Sequence, residues 1–208
     1  VFGTARNPWN TAMVPGGSSS GSGTALAAHL VTGATGSDTG GSVRNPASYC
    51  GIVGLKPTYG RISRAGIIPL SWSLDHAGPM ARTVTDTAML LQVMAGPDHR
   101  DPSAANEPVP DYQRALQPDL QGLRVGVPRT YFFEDGGPEV IGAVQAAIEA
   151  MRPLGAVLRQ IALPQAWLGP APSWAIAYTE AFAFHRSNFF ARPRDYTPAF
   201  FHKIAGAA

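Results

Sequence analysis

The stretch PGGSSSGSGTALAAHLVTGATGSDTGGSVRNPAS, residues 15–48, decides the interpretation of this chain. It holds two serine–glycine clusters separated by a short Ala-rich segment. A flexible linker would lie between domains, whereas these clusters flank a predicted short helix and a predicted apolar strand. A phosphate-binding P-loop is also disfavoured, because the first cluster lacks a Gly-Lys-Ser/Thr ending and no lysine precedes Lys56. The remaining interpretation is a catalytic site built from hydroxyls and backbone N–H groups.

The second cluster has the residues that acyl transfer requires. A serine nucleophile needs a base that takes its proton and N–H donors aimed at the developing oxyanion. In the sequence DTGGS, a tight turn through Gly40 and Gly41 lets consecutive N–H groups point one way. A histidine base is poorly supported, because His29 lies on the predicted short helix and His76 in a predicted loop. A G-x-S-x-G elbow does not occur around Ser42, so an ordinary Ser-His-Asp triad is disfavoured.

The composition is typical of a soluble globular protein and excludes several classes. The 208 residues are 45% hydrophobic and 14% charged with a formal net charge of +2, and the scattered basic residues predict no nucleic-acid partner. Cys50 is the single cysteine, so no intrachain disulfide forms, a buried structural thiol is expected, and a cytoplasmic location is predicted. No apolar stretch reaches about 18 residues, which predicts no membrane span. The five histidines are dispersed, so neither a metal nor a cofactor is expected.

Apolar periodicity and turn residues predict alternating helices and strands. Thr83 and Asp86 have the spacing of a capping box at the start of the clearest helix. The alternation favours an α/β layered fold with a largely parallel or mixed sheet. Helices are predicted over 22–30, 82–96, 138–155 and 173–190, a turn or short helix over 43–50, and extended segments over 30–38, 51–63, 123–128 and 156–163.

The longer block GGSSSGSGTALAAHLVTGATGSDTGGSVRNPASYCGIVGLKPTYGRISRAGI, residues 16–67, resembles the signature block of the amidase signature family. A weaker match follows in PLSWSLDHAGPMARTVTD, residues 69–86. The resemblance implies an α/β fold with a mixed β-sheet core flanked by helices on both faces, incomplete in this chain. It also implies a Ser-Ser-Lys triad in which Ser42 is the nucleophile and Ser18, held through a cis peptide bond, is the bridging serine. The two serines have the family's spacing.

The same resemblance implies how the other loop residues act. The backbone of Thr39, Gly40 and Gly41, with the N–H of Ser42, would form the oxyanion hole. A neutral lysine would take a proton from the bridging serine, which takes one from the nucleophile, and burial would lower the pKa of that lysine. A charge-assisted pair is expected to brace the loop. The supporting residues implied are Gly17, Ser19, Asp38 and Arg44, the last two forming that pair.

The family's lysine lies several tens of residues upstream of the bridging serine, outside this chain. The chain begins without Met and ends inside or just after an amphipathic pattern, which predicts truncation at both ends. It is expected to be inactive alone, because Lys56 and Lys203 are not expected to substitute for the upstream lysine. As to domains, residues 1–208 are predicted to be one partial amidase signature domain. Residues 1–96 would form its signature core with the catalytic loops, and residues 97–208 its variable α/β portion.

The expected function is hydrolysis of a carboxamide C–N bond, through an acyl-enzyme on Ser42, to a carboxylate and ammonia or an amine. The alternatives are the glutaminase (A) subunit of a tRNA-dependent amidotransferase, a hydrolase of urea-derived substrates, and an inert scaffold. The segment PLSWSLDHAGP, residues 69–79, resembles the stand-alone bacterial amidases more than the amidotransferase subunit. The expected partners are a small-molecule amide substrate and a second copy or a second fragment that completes the domain. Five aromatic residues are pocket candidates, although their spacing is more typical of a core: Trp72, Trp167, Trp174, Tyr178 and Phe182.

Overall fold

A computed structural model describes residues 3–117 and 119–206. The chain separates into two compact units. The first unit comprises Val1–Ala115 and Ser173–Ala208, and the second comprises Leu116–Pro172. In the part of the chain that is described, no helix has the length and apolar character needed to cross a membrane.

The elements alternate between helix and strand, so the chain is a mixed α/β fold, as predicted. In chain order they are α1 (Ser20–Ala27), β1 (Gly33–Asp38), α2 (Arg44–Cys50), β2 (Val53–Gly54), β3 (His76–Ala81), α3 (Val84–Met94), β4 (Arg124–Pro128), α4 (Pro138–Ala150), β5 (Val157–Ile161), α5 (Pro170–Ala191) and α6 (Pro198–Ala205). Two single 3₁₀ turns, Ala166–Leu168 and Pro193–Asp195, precede α5 and α6.

The sheet of the first unit has three antiparallel strands in the order β1-β3-β2. Its central strand β3 occupies a segment for which the sequence predicts a loop, so that prediction is wrong. The adjacent Gly78 and Pro79 break the apolar pattern and are typical of a turn. Pro79 has no N–H to donate, but its carbonyl accepts a hydrogen bond of 3.1 Å from the N–H of Leu55. The strand therefore pairs on both sides although it contains a proline.

The second unit contains the parallel pairing that the helix–strand alternation predicted. Strands β4 and β5 pair in parallel, with Arg124 opposite Val157 and Pro128 opposite Ile161. Helix α4 provides the connection between them, as parallel strands require. Among the described residues, parallel pairing is thus found in this unit alone, and the three-stranded sheet of the first unit is antiparallel.

Buried apolar side chains fix the elements around the two serine–glycine clusters. Leu26, Val43, Ala47 and Met80 form one cluster that joins α1, the start of α2 and β3. The predicted start of α3 is confirmed, because the Thr83 hydroxyl accepts a hydrogen bond from the N–H of Asp86. A second cluster, Ala181, Phe189 and Ile204, packs α5 against α6. These contacts hold rigid elements on either side of the loops that carry Ser18 and Ser42.

Candidate active site

The two serine–glycine clusters meet at the N-terminal ends of α1 and α2. The peptide bond between Gly17 and Ser18 is cis. The N–H of Ser19 donates to the Ser42 carbonyl oxygen at 3.1 Å, and the N–H of Gly17 donates to Oδ1 of Asn45 at 3.0 Å. Hydrogen bonds therefore join the first cluster to the segment 42–45 on both sides of Ser18. Both Ser18 and Ser42 line one cavity of about 660 Å³.

Glycine is required at two places where the loops touch. Gly16 has φ +77°, and a Cβ there would lie 2.7 Å from Oδ1 of Asn45 and 2.8 Å from the Cα of Pro46. Gly41 has φ +130°, a backbone conformation that residues with side chains rarely adopt. The close approach of the first loop to α2 thus depends on the absence of a side chain at Gly16, and the turn before Ser42 depends on it at Gly41.

Asp38 organises the loop that carries Ser42. Its side chain is fully buried and accepts hydrogen bonds from the N–H groups of Gly41 at 2.8 Å and Val43 at 3.1 Å. Arg44 donates to both carboxylate oxygens, from Nε at 3.0 Å and from the terminal guanidinium nitrogen at 2.8 Å, so the expected pair is present. Burial alone would raise the pKa of Asp38, but the hydrogen bonds from Arg44 and the backbone lower it to about 2. The carboxylate is therefore ionised at neutral pH.

The Asp38 contacts also show which N–H donor of the loop already has a partner within the protein. Because the N–H of Gly41 points at the carboxylate, it is engaged within the protein. Gly40 lies closer to the cavity wall, since a Cβ at Gly40 would come within 3.1 Å of the Trp174 ring. The indole thus covers the turn next to Ser42. Of the two glycines of the predicted oxyanion hole, Gly40 is the one that lies against the Trp174 ring.

The cavity wall consists largely of apolar and aromatic residues from the segment after Gly66 and from α5 and α6. Two of the five predicted aromatic residues line it, Trp174 and Tyr178, and their rings stack at 5.5 Å between centroids. Phe182 packs in the α5–α6 core instead. The remaining residues that line the cavity are Gly17, Ile68, Pro69, Leu70, His185, Phe200 and Lys203.

Two polar residues of the cavity have no predicted place in the site, His185 and Lys203. His185 follows Trp174 and Tyr178 at the spacing of one helical face, which is a signal that the sequence contained. Burial lowers the pKa of His185, which favours the neutral imidazole. Lys203 lies on α6, whereas Lys56 donates to the carbonyl oxygen of Pro57 at 2.9 Å.

The other histidines considered as bases lie outside the cavity lining. His29 is exposed, with φ +60°, just after α1. His76 opens β3, where its Nδ1 lies 2.7 Å from the Leu74 carbonyl oxygen. Among residues 3–117 and 119–206, no group of three or more His, Cys, Asp or Glu residues is arranged to hold a metal ion.

Comparison with known proteins places this geometry among related chains. The family model described as Amidase matches residues 1–205. The (A) subunit of the glutamyl-tRNA(Gln) amidotransferase of Methylococcus capsulatus is 55% identical over 179 residues, which is 86% of this chain and 37% of that protein. The chain thus spans well under half the length of that relative.

Two solved structures have the same fold. One is described as an unexpected vestigial protein complex that reveals the evolutionary origins of an s-triazine catabolic enzyme. It has a TM-score of 0.91 and 38% identity, over 99% of this chain and 44% of that one. The other is the native peptide amidase of Stenotrophomonas maltophilia, with a TM-score of 0.82 and 35% identity, over 97% of this chain and 46% of that one.

Proposed function

This chain belongs to the amidase signature family, and we propose that the protein containing it hydrolyses a carboxamide C–N bond through an acyl-enzyme on Ser42. The observation that carries the proposal is the position of Ser18 and Ser42 on the wall of one cavity. The two glycine-rich loops that carry these serines are joined by a hydrogen bond. The products are a carboxylate and ammonia or an amine.

In the acylation step, Oγ of Ser42 attacks the amide carbonyl carbon and the carbonyl oxygen becomes an oxyanion. We assign its stabilisation to the N–H groups of Gly40 and Ser42, since the N–H of Gly41 donates to Asp38. The nucleophile's proton passes to Ser18, whose proton passes to a base, and the reverse transfer protonates the leaving nitrogen. Water then attacks the acyl-enzyme by the same route, which releases the carboxylate and regenerates Ser42.

The base is assigned by resemblance to a lysine encoded upstream of Ser18. A buried lysine in an apolar site is held neutral more easily than an exposed one. Lys203 lines the cavity but is exposed, which does not favour its service as that base. A Lys203→Met variant that retains its activity would support the upstream assignment.

A second candidate function is release of ammonia from glutamine for a partner protein of an amidotransferase. One observation favours it: the amidotransferase relative is 55% identical, whereas the peptide amidase is 35% identical. The two candidates share the chemistry on Ser42 and differ in substrate and partner. Ammonia release from glutamine, assayed beside release from simple carboxamides, distinguishes them.

The proposal is tested with the protein expressed from its complete reading frame and treated with a fluorophosphonate. We expect one adduct, mapped by mass spectrometry to Ser42, and loss of both the adduct and amide hydrolysis in Ser42→Ala. The loss in kcat should be about 10⁴-fold or more, because the nucleophile itself is removed. Ser48→Ala is a matched control, since Ser48 is an exposed serine of α2. An adduct on another serine, or amide hydrolysis that survives in Ser42→Ala, would overturn the assignment.

A further inference from the structure

We propose that Asp75 is a positioning residue for the oxyanion-binding turn and acts on it through the hydroxyl of Thr39. The inference rests on the proposed function and assigns a role to a residue far from Ser42 in the sequence. Asp75 touches no reacting atom in this arrangement. Its role is to fix the peptide that carries the Gly40 N–H.

The carboxylate of Asp75 joins two segments. The residue is buried, at 5% exposure, and its Oδ1 accepts a hydrogen bond from Oγ1 of Thr39. Its Oδ2 accepts from the N–H groups of Leu70 at 2.8 Å and Ser71 at 3.0 Å. Hydrogen bonds to a charged acceptor are stronger than those between neutral groups. One carboxylate therefore holds the turn at Thr39 against the segment 70–71.

That segment is part of the cavity wall. Leu70 lines the cavity, together with the preceding Ile68 and Pro69. Because Asp75 binds the backbone of Leu70 and the side chain of Thr39, it sets the separation between the wall and the turn. A substrate held by the wall is thus presented to the Gly40 N–H at a fixed distance.

Helix α5 supports the same segment through a second carboxylate. Glu180 accepts hydrogen bonds from Oγ of Ser71 at 2.5 Å, and from the N–H of Ser73 at 3.1 Å and its Oγ at 2.7 Å. Burial alone would raise the pKa of Glu180, but the hydrogen bonds from the two serines lower it, so the group is charged near neutral pH. The same helix carries Trp174, whose ring covers Gly40.

These contacts connect three segments to one another: α5 to the segment 70–75, that segment to the turn at Thr39, and the turn back to α5. The direction of the Gly40 N–H depends on the peptide plane between Thr39 and Gly40, because Thr39 contributes the carbonyl side of that plane. Transition-state stabilisation by an N–H donor requires its position to be held within about 0.5 Å. The Thr39 hydroxyl bond therefore acts on kcat and leaves substrate binding by the cavity wall largely intact.

The test compares Thr39→Val, which keeps the shape and removes the hydroxyl, with Thr39→Ser, which keeps the hydroxyl. In the complete protein, Thr39→Val should lower kcat by about 10- to 100-fold with KM changed by less than about threefold. Thr39→Ser should recover most of that loss. Asp75→Asn should lower kcat at least as much as Thr39→Val, because it also weakens the bonds from the N–H groups of Leu70 and Ser71. The double variant Thr39→Val/Asp75→Asn should lose no more than Asp75→Asn alone, because the Thr39 hydroxyl acts through that carboxylate.

The matched control is Thr24→Val, which removes another threonine hydroxyl bond, to the Arg6 carbonyl oxygen at 3.1 Å, away from the cavity. It should leave kcat unchanged. If Asp75→Asn does not fold, the Thr39 variants still decide the question. Thr39→Val with unchanged kcat, or Thr39→Ser as impaired as Thr39→Val, overturns the inference while the wild-type adduct on Ser42 still supports the proposed function. Failure of the wild-type protein to hydrolyse amides or to form that adduct is instead a failure of the proposed function.

Discussion

The two units of the chain bury their strands in different ways. In the first unit, β3 has the sequence HAGPMA, and five of its six residues are buried. In the second unit, β5 has the more apolar sequence VLRQI and an almost fully exposed pattern. Helix α4 has a regular apolar spacing, yet none of its residues, all of which are described, is buried, and Val140 is 65% exposed. Hydropathy alone therefore does not predict which strand lies inside.

The difference comes from how closely backbones approach one another. In the first unit, glycines let neighbouring elements come within a distance that a Cβ would not allow, as at Gly54, where a Cβ would lie 2.7 Å from the Cβ of Ala47. Buried carboxylates then take up N–H groups that would otherwise lack partners, as Asp38 and Asp75 do. In the second unit, the apolar residues Val140, Val144 and Val157 are exposed in this chain.

The largest expected effect is in the first unit, at Gly78 in the central strand. A Cβ there would overlap the carbonyl oxygen of Leu55, which is backbone and cannot move aside cheaply. We expect Gly78→Ala to destabilise this unit by about 3 kcal/mol. Hydrogen exchange followed by mass spectrometry should show faster exchange at 76–81 and unchanged exchange at 157–161.

The control for that experiment is Gly21→Ala, a glycine of α1 with nothing within 4 Å of an added Cβ. It should leave exchange at 76–81 unchanged. Equal protection of β3 in Gly78→Ala and wild type would contradict the proposed difference between the two units. Burial in the first unit would then not depend on close backbone approach.

A smaller effect is expected from acid. Because the pKa of Asp38 is lowered to about 2 from its ordinary value of 3.8, its ionised form stabilises the folded state, and this contribution is present above about pH 4. It is lost as the pH falls from about 4 towards 2 and amounts to about 2 kcal/mol. Exchange at 38–44, corrected for the intrinsic pH dependence of exchange, should therefore lose protection over that range.

The variant Asp38→Asn separates this carboxylate from the others. It should be less stable than wild type at neutral pH and should lack the part of the acid dependence that belongs to residues 38–44. An identical acid dependence in wild type and Asp38→Asn would show that another group controls the loop.

The smallest effect, with the opposite sign, is expected in the second unit. Gly142 lies in the interior of α4 with nothing within 4 Å of an added Cβ. Since alanine favours a helix more than glycine does, Gly142→Ala should stabilise α4 by about 1 kcal/mol. Slower exchange at 138–150 would confirm this, and faster exchange there would contradict it. The same glycine-to-alanine change thus has opposite consequences in the two units.

How far the sequence predicted the fold follows the same division. In the second unit, apolar periodicity predicted β4 and β5 close to their observed bounds and the start of α4, because side-chain pattern determines those elements. The predicted end of α4 at Gly155 is wrong, since the helix ends at Ala150. In the first unit, β1, α1 and α3 were predicted but β3 was not. Its Gly78–Pro79 pair has no apolar alternation, and its place in the sheet depends on partners distant in the sequence.

The candidate site divides in a similar manner. The serine–glycine clusters were recognisable because glycine and serine are unusual at such density, and the Asp38–Arg44 pair lies only six residues apart. His185 and Lys203 reach the cavity from α5 and α6 across more than 130 residues of chain, so no local pattern joins them to Ser42. Asp75 was likewise not predicted as part of the site, because its partner Thr39 is 36 residues away in the sequence.

The hydrogen bonds between Ser71, Ser73 and Glu180 have a consequence for biosynthesis. Ser71 and Glu180 are 109 residues apart, and a ribosome adds roughly 5–20 residues per second, so the interval between them is roughly 5–20 seconds. During that time the nascent chain contains both serine–glycine loops but lacks the helix that covers Gly40 and braces the segment 70–75. Phe200 and Lys203 of α6 also line the cavity, so its lining forms only when both α5 and α6 have left the ribosome. Until then, Ser18 and Ser42 lie in loops without that enclosure.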